Sequence, residues 1–539
     1  MRIKSLMLET KNNLIKDYRH EDEQMMTHFN YSPFNDYEKR LNDLNEQSFA
    51  REALVEVLHK QNKRWDAGEQ SINNIDRLKD KQSVVVIGGQ QAGIATGPLY
   101  TINKIISIIQ FAREQEATLN VPVIPVFWIA GEDHDYDEIN HVYMNKANRL
   151  KQHKLKQYVA EREAISHISM EKSHVKAWLD EYFLSFRESP YTKKIYEEIT
   201  ASIEQSATYV DLFAKIIYKL FPTSGLVLID SGDDSTRQLE NEHFVEMINN
   251  QEAIAKTVYQ SLQHMRQSGY HIALDVAEND GNLFLMHEKE RVLLERDAAG
   301  YWVGKNEEVK LTTDELLEIA TNEPERLSNN VVTRPLMQEK IFPTLAFLAG
   351  DGEIAYWSVL KEAFETLNLK MPPILPRLSI TYVSRSVQKV LEKKELNIDD
   401  VINKGVHRQK MNWLASHEFA PIDVLSEELK QSISELHEPL SEVAKKFGDD
   451  VVGVAEKNLM YLLQHVEHLE NRLTKEMEKT YKDGLLEYEH VSNELKPFNQ
   501  LQERVWNILP WINEYSVTWL EELTNESFDY EQNHYLIYL

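Results

Sequence analysis

Two unbroken apolar runs constrain this chain most: "SVVVIGG" (83–89) and "VPVIPVFWIAGED" (121–133), one helix-length apart. An apolar run without polar alternation reads as a strand buried on both faces, which belongs in a parallel sheet covered by helices. "GLVLID" (225–230), "PTLAFLAG" (343–350) and "PPILPRLSIT" (372–381) repeat the signal, with helical stretches between them. The pattern predicts an α/β chain whose mainly parallel sheet carries helices on both faces.

Other segments depart from this pattern. Residues 1–80 read as helical and polar, and 140–220 as a largely helical insertion. "YHIALDV", "NLFLMHE", "RVLLERD" and "YWVGK" alternate in short runs and predict a small antiparallel insertion near 268–310. After about residue 384 the strand signals stop. Leu429, Ile433, Leu436, Leu440 and Val443, then Leu459, Leu462, Val466, Leu469 and Leu473, step by three and four with charges between them. That is the a/d pattern of a coiled coil, here an antiparallel hairpin whose narrow stripe suits a homodimer. The expected domains are a core over 1–384, a helical coiled-coil domain over 385–496 and a tail over 497–539 that returns to the core.

Composition narrows the function. Asp plus Glu outnumber Lys plus Arg by 87 to 60, a net charge of −27. That balance argues against nucleic-acid binding, which needs clustered cations. There are 0 cysteines, so disulfides, thiolate zinc sites and a cysteine nucleophile are excluded. The N-terminus lacks the apolar core, ~7–15 residues long, of a secretory signal. No apolar run approaches the ~18 residues of a membrane span. These features predict a cytoplasmic protein that handles small molecules.

In open parallel sheets ligands bind beyond the carboxyl ends of the strands. The first strand is followed by "GGQQAGIATGPLYTINK". Gly88, Gly89 and Gly93 allow close backbone approach, Gln90 and Gln91 offer amides, and Gly97 with Pro98 falls in the first turn of the next helix. Thr96 is placed to cap the next helix, whose N-terminus suits an anion. Tyr100 and Lys104 share one face of that helix. The second strand, with Trp128 near its end, runs into Glu132, Asp133, His134 and Asp135. Charge at that position marks a site. His134 and His141 with these carboxylates match no metal-binding spacing, so no metal is expected. Asp230 ends the third strand, as a ribose or amine ligand or as a helix cap. Around the fourth and fifth strands lie Arg334 and Gln338, a potential anion clamp, then Glu353, Tyr356, Arg377 and Ser379. His153, His167, His174, His465 and His468 are read as surface or insertion residues.

Taken in order, "GGQQAGIATGPLYTINK", "PVFWIAGEDHDYDEINH", "GLVLID", "LSNNVVTRPLMQEKIFPTLAFLAGDGEIAYW" and "PPILPRLSIT", followed by a coiled-coil arm, resemble the bacillithiol biosynthesis cysteine-adding enzyme family across essentially the whole chain. The resemblance implies a Rossmann-like core of class I synthetase type with connecting insertions and a dimerising coiled coil. It implies a ligase joining cysteine to the amino group of glucosaminyl-malate, with ATP or ADP as a possible cofactor. The synthetase motifs HIGH and KMSKS are absent, so ATP chemistry is not carried over residue by residue.

Amide formation from a carboxylate needs phosphate-oxygen contacts (helix N–H groups, Lys104, Arg377) and an ammonium anchor (Glu132, Asp133). It also needs a base for the attacking amine (His134 or Asp135) and a cation for the malyl carboxylates (Arg334). A nucleotide-binding dimeric scaffold without ligase activity is the alternative. A dinucleotide oxidoreductase is disfavoured by the missing G-x-G-x-x-G.

Overall fold

The computed structural model describes every residue except 10–11, 147, 160–162, 289 and 417–420, together with the side chain at 478. The chain divides into two units. One comprises 1–146, 150–382 and 502–539; the other comprises 147–149 and 383–501.

Five parallel strands form the heart of the first unit: β1 (Val84–Gln90), β2 (Val123–Ile129), β3 (Val227–Asp230), β4 (Thr344–Ala349) and β5 (Ile374–Pro376). Their order is β5-β4-β1-β2-β3. Strand order reverses between β1 and β4, where the first strand has one neighbour from each half of the sheet. Alternate β1 residues serve opposite cores. Val84 and Val86 join a cluster that includes Ile102, Ile106 and Ile109 of the helix Leu99–Leu119. Val85 and Ile87 join a cluster with Leu54 and Leu58 of Arg51–Arg64, and with Trp357. Both faces of the sheet are therefore apolar, as the unbroken runs require.

The sequence "PPILPRLSIT" does not form one strand. Pro376 ends β5, and Ile380–Val383 enters a separate sheet with His534–Tyr538 and Arg2–Leu6. The N-terminal segment thus opens with a strand, in antiparallel register with the C-terminal one, before its helices begin. The insertion sheet runs Lys310–Leu311, Trp302–Gly304, Glu290–Arg296, Asp280–His287, Leu327–Asn329. "YHIALDV" takes no part in it. Ile272 and Leu274 sink into the second core cluster, and Arg266 donates to the Leu274 carbonyl at 2.8 Å, so the alternating side chains are buried without a partner strand. His153 lies in the 140–220 insertion and is buried there: it stacks on Trp178 and hydrogen-bonds the Trp178 carbonyl at 2.8 Å.

The second unit is helical. Ile422–Ala444 and Asp449–Thr480 pack as an antiparallel hairpin, with His437 opposite Asn458 and Ser426 opposite Glu470. Of the ten heptad residues only Val466 is buried. Leu429, Leu436, Leu440, Val443, Leu462, Leu469 and Leu473 are exposed. One helix cannot cover its partner's stripe, and an apolar groove opens between Ile422, Leu425, Leu429, Val466, Leu469 and Leu473.

Candidate active site

A cavity of about 610 Å³ opens at the carboxyl ends of the strands where the order reverses, the position at which open α/β sheets bind ligands. Gly89, Gln90 and Gln91 leave β1; Trp128 and Ala130 leave β2. Gly350, Asp351, Gly352, Glu353 and Tyr356 follow β4, and Arg377 follows β5. Tyr100 and Lys104 face in from the helix Leu99–Leu119, and Glu138, Arg334 and Arg504 complete the lining.

The β1 turn works differently from the sequence expectation. Gly89 needs its missing side chain because a Cβ would stand 2.7 Å from the Trp128 carbonyl. At Gly93 it would stand 2.6 Å from the Gly97 Cα. The glycines therefore serve strand and turn packing. Thr96 does not cap the helix: it has φ of +80°, follows Ala95 at +51°, and Pro98 holds the cap position. The turn's N–H groups are used internally, Gly93 to the Gln91 carbonyl, Gly97 to that of Ile94 and Leu99 to that of Trp506. These three N–H groups are therefore closed to an anion in the cavity, and the charge to meet one comes from side chains.

Those side chains are cationic. Lys104 is buried and donates to the Gly89 carbonyl at 2.7 Å and to Glu353 Oε2 at 2.6 Å; burial draws its pKa down, against the pull of Glu353. Glu353 also accepts the Gly350 N–H at 2.7 Å, which closes the first turn of the helix Asp351–Trp357. Arg377 grips Glu503 through two hydrogen bonds, at 2.9 and 2.7 Å. Burial alone would raise the Glu503 carboxyl, but Arg377 overrides it and holds the pKa at about 2. Arg334 donates to the Tyr356 hydroxyl at 2.5 Å and lies over the Phe347 ring. Neither Arg334 nor Arg504 forms an ion pair among the described residues.

The remaining candidates lie outside the cavity lining. Glu132 is buried in an ion pair with Arg237, at 2.5 Å, and accepts the Asn329 N–H, so it is not open to a substrate ammonium. Asp133 accepts from Gln91 Nε2 at 2.6 Å, one residue behind the cavity wall. His134 Nδ1 faces Arg291 Nη1 at 3.2 Å. Asp135 caps the short helix Tyr136–Ile139. Asp230 accepts from Ser166 and from the Gly232 N–H at 2.8 and 2.9 Å, boxed in by Gly131, and burial raises its pKa to about 7. The helix cap is Asp233. Gln338 is sealed in the core. Ser379 hydrogen-bonds Glu503 and His534. Gly93, Thr96 and Gly97 support the turn.

Sequence reading missed Arg504, Asp351 and the lining role of Glu138. Arg504 sits in a tail segment with no periodic signal, and only the fold brings that segment to the cavity.

Two family models together match nearly the whole chain. Residues 1–378 match the N-terminal Rossmann-like domain of bacillithiol biosynthesis BshC, and residues 380–539 its C-terminal coiled-coil domain. The chain belongs to the BshC family. Within that family, a protein of Oceanobacillus iheyensis is 41% identical over 543 residues, with 100% of both chains covered. Proteins of Bacillus cytotoxicus and Bacillus cereus are 36% identical over 540 residues, again with 100% of each chain covered. All three relatives carry the name "Putative cysteine ligase BshC". The Rossmann-like core and the helical coiled-coil domain of this chain are the two parts that define the BshC family.

Proposed function

We propose that the chain is a cytoplasmic ligase that joins cysteine to the amino group of glucosaminyl-malate through an amide bond, the last step of bacillithiol biosynthesis. The observation that carries this reading is that two guanidiniums lining the cavity, those of Arg334 and Arg504, have no carboxylate partner among the described residues. Two unpaired guanidiniums suit the two carboxylates of a malyl group, since guanidinium–carboxylate hydrogen bonds are charge-assisted and geometrically matched. The attacking amine must lose a proton. Glu138 and Asp351 line the cavity and form no ion pair among the described residues, which makes them the available acceptors.

An activated cysteine carboxylate needs a leaving group, and ATP or ADP belongs to this proposal as its source. With the Gly93, Gly97 and Leu99 amides already engaged, Lys104, Arg377 and Arg504 are the side chains that would meet phosphate oxygens. A second copy of the chain, seated on the exposed leucines of the hairpin, would form the homodimer.

The test is direct. Purified protein is incubated with cysteine, glucosaminyl-malate and a nucleoside triphosphate, and the thiol product is sought by mass spectrometry. Product formation supports the ligase. Nucleotide binding without product, under every activated donor tried, favours the scaffold alternative.

A further inference from the structure

Arg377 follows β5 and lines the cavity, with only 10% of its side chain exposed. Most of its guanidinium is committed to protein. Nη1 donates to the Leu378 carbonyl at 2.8 Å and to Glu503 Oε2 at 2.9 Å, and Nη2 donates to Glu503 Oε1 at 2.7 Å. A guanidinium carries one N–H on Nε and a pair on each Nη, all in one plane. Both protons of Nη1 are therefore spent, and Glu503 fills the end edge between Nη1 and Nη2. The side edge, made of the Nε–H and the second Nη2–H, meets no acceptor among the described residues.

That edge borders open space. Gly350 also lines the cavity, and a Cβ added to it would meet only Arg377 Nε and Glu353 Oε2 within 4 Å, each at 3.6 Å. Glu353 Oε2 is already taken by Lys104 and by the Gly350 N–H, at 2.6 and 2.7 Å, so it does not claim the Nε–H. On the other side Glu503 is itself pinned. Asn103 Nδ2 donates to its Oε2 at 2.7 Å, and Ser379 Oγ and the Ile380 N–H donate to it at 3.3 Å. Arg377 cannot rotate its side edge away from Gly350 without breaking this set of bonds.

We propose that the Nε/Nη2 edge of Arg377 is a two-point oxyanion site in the cavity, and that Glu503 is the positioning residue that keeps this edge turned toward it. Two oxygens on one carbon or phosphorus match the two parallel N–H groups, a fit that an ammonium does not reproduce. The occupant is a carboxylate or a phosphate. Naming these as the malyl group or the nucleotide rests on the ligase reading; the site itself rests on the geometry.

The experiment measures binding of malate and of pyrophosphate to the full-length protein by calorimetry. Arg377→Lys keeps the charge and removes the fork. It should weaken the probe that occupies the fork about 10- to 100-fold. Loss for malate alone assigns the carboxylate, loss for pyrophosphate alone the phosphate, and loss for both a site that accepts either. Unchanged affinity for both probes, or no binding of either to the unmodified protein, would overturn the proposal.

Glu503→Gln separates positioning from charge. It removes a negative charge beside the site, so charge alone would tighten an anion. Lost positioning should instead weaken the probe by about threefold or more. Tighter or unchanged binding in the folded variant would overturn the role of Glu503. Should either variant not fold, crystals of the unmodified protein with the probe decide. Probe oxygens are expected within about 3.2 Å of both Nε and Nη2, with Glu503 still on the end edge; a probe in the cavity that leaves Nε untouched would overturn the site. Turnover is scored separately: fork-dependent binding without turnover would sink the ligase reading alone, and turnover undiminished in Arg377→Lys at low substrate would sink the fork alone.

Discussion

Arg377 and Glu503 are 126 positions apart in the chain and form a two-point buried ion pair, at 2.9 and 2.7 Å, beside the cavity. Glu503 also accepts from Asn103 at 2.7 Å, so one carboxylate joins the helix after β1, the segment after β5 and the C-terminal tail. Glu503→Gln leaves the guanidinium buried with half its partner, and breaking such a pair costs about 3 kcal/mol or more. Urea denaturation should show a lowered midpoint. An unchanged midpoint would mean that the pair does not hold the tail.

Arg334 is the cation the ligase reading assigns to the malyl group. Arg334→Met removes a charge-assisted contact of about 1.5–3 kcal/mol, so the KM for glucosaminyl-malate should rise about 10- to 100-fold with little change in kcat. A fall in kcat at unchanged KM would place Arg334 in the chemistry and not in binding.

Gly93 and Gly97 touch through backbone, with only 2.6 Å for a Cβ at Gly93. Backbone atoms cannot swing aside as a side-chain tip can. Gly93→Ala should cost about 1–3 kcal/mol, read as a lower Tm by calorimetry, and should also disturb the cavity wall at Gln90 and Gln91.

Asp230 gives a pH signature. Its folded pKa is about 7 because it is buried, against about 4 in an unfolded chain. Between these values the folded state holds the extra proton, so this group's contribution makes stability fall as pH rises from about 4 to about 7, and it stays flat above that. Asp230→Asn removes the term while keeping the acceptor for Ser166 and Gly232. Relative to the unmodified protein, the variant should gain stability on moving from about pH 5 to about pH 8, measured by denaturant midpoints. Parallel pH profiles would refute the assignment.

The hairpin leaves Leu436 at 79% and Leu440 at 66% exposure. Replacing both by lysine disturbs no buried contact but charges the face that a second copy would cover in the proposed homodimer. Sedimentation should shift from dimer to monomer with helicity retained. A monomeric unmodified protein would rule the homodimer out.

The unbroken runs at 84–90, 123–129, 227–230 and 344–349 determined a parallel sheet by themselves, because an apolar strand must be covered on both faces wherever it sits. The heptads determined a hairpin with a stripe it cannot cover alone. Gln90, Gln91, Tyr100, Lys104, Trp128, Arg334, Glu353, Tyr356 and Arg377 were legible as cavity residues because strand ends converge in any open sheet of this kind. Tertiary structure decided what each side chain faces. Glu132 and Glu503 look alike in sequence as acidic residues, but one is locked to Arg237 and the other to Arg377, and neither faces the cavity. Arg291 and Arg504 come from an insertion and a tail that no local pattern ties to β1. Long-range packing alone sets such pairings, since a buried charge must find an opposite charge wherever the chain brings one.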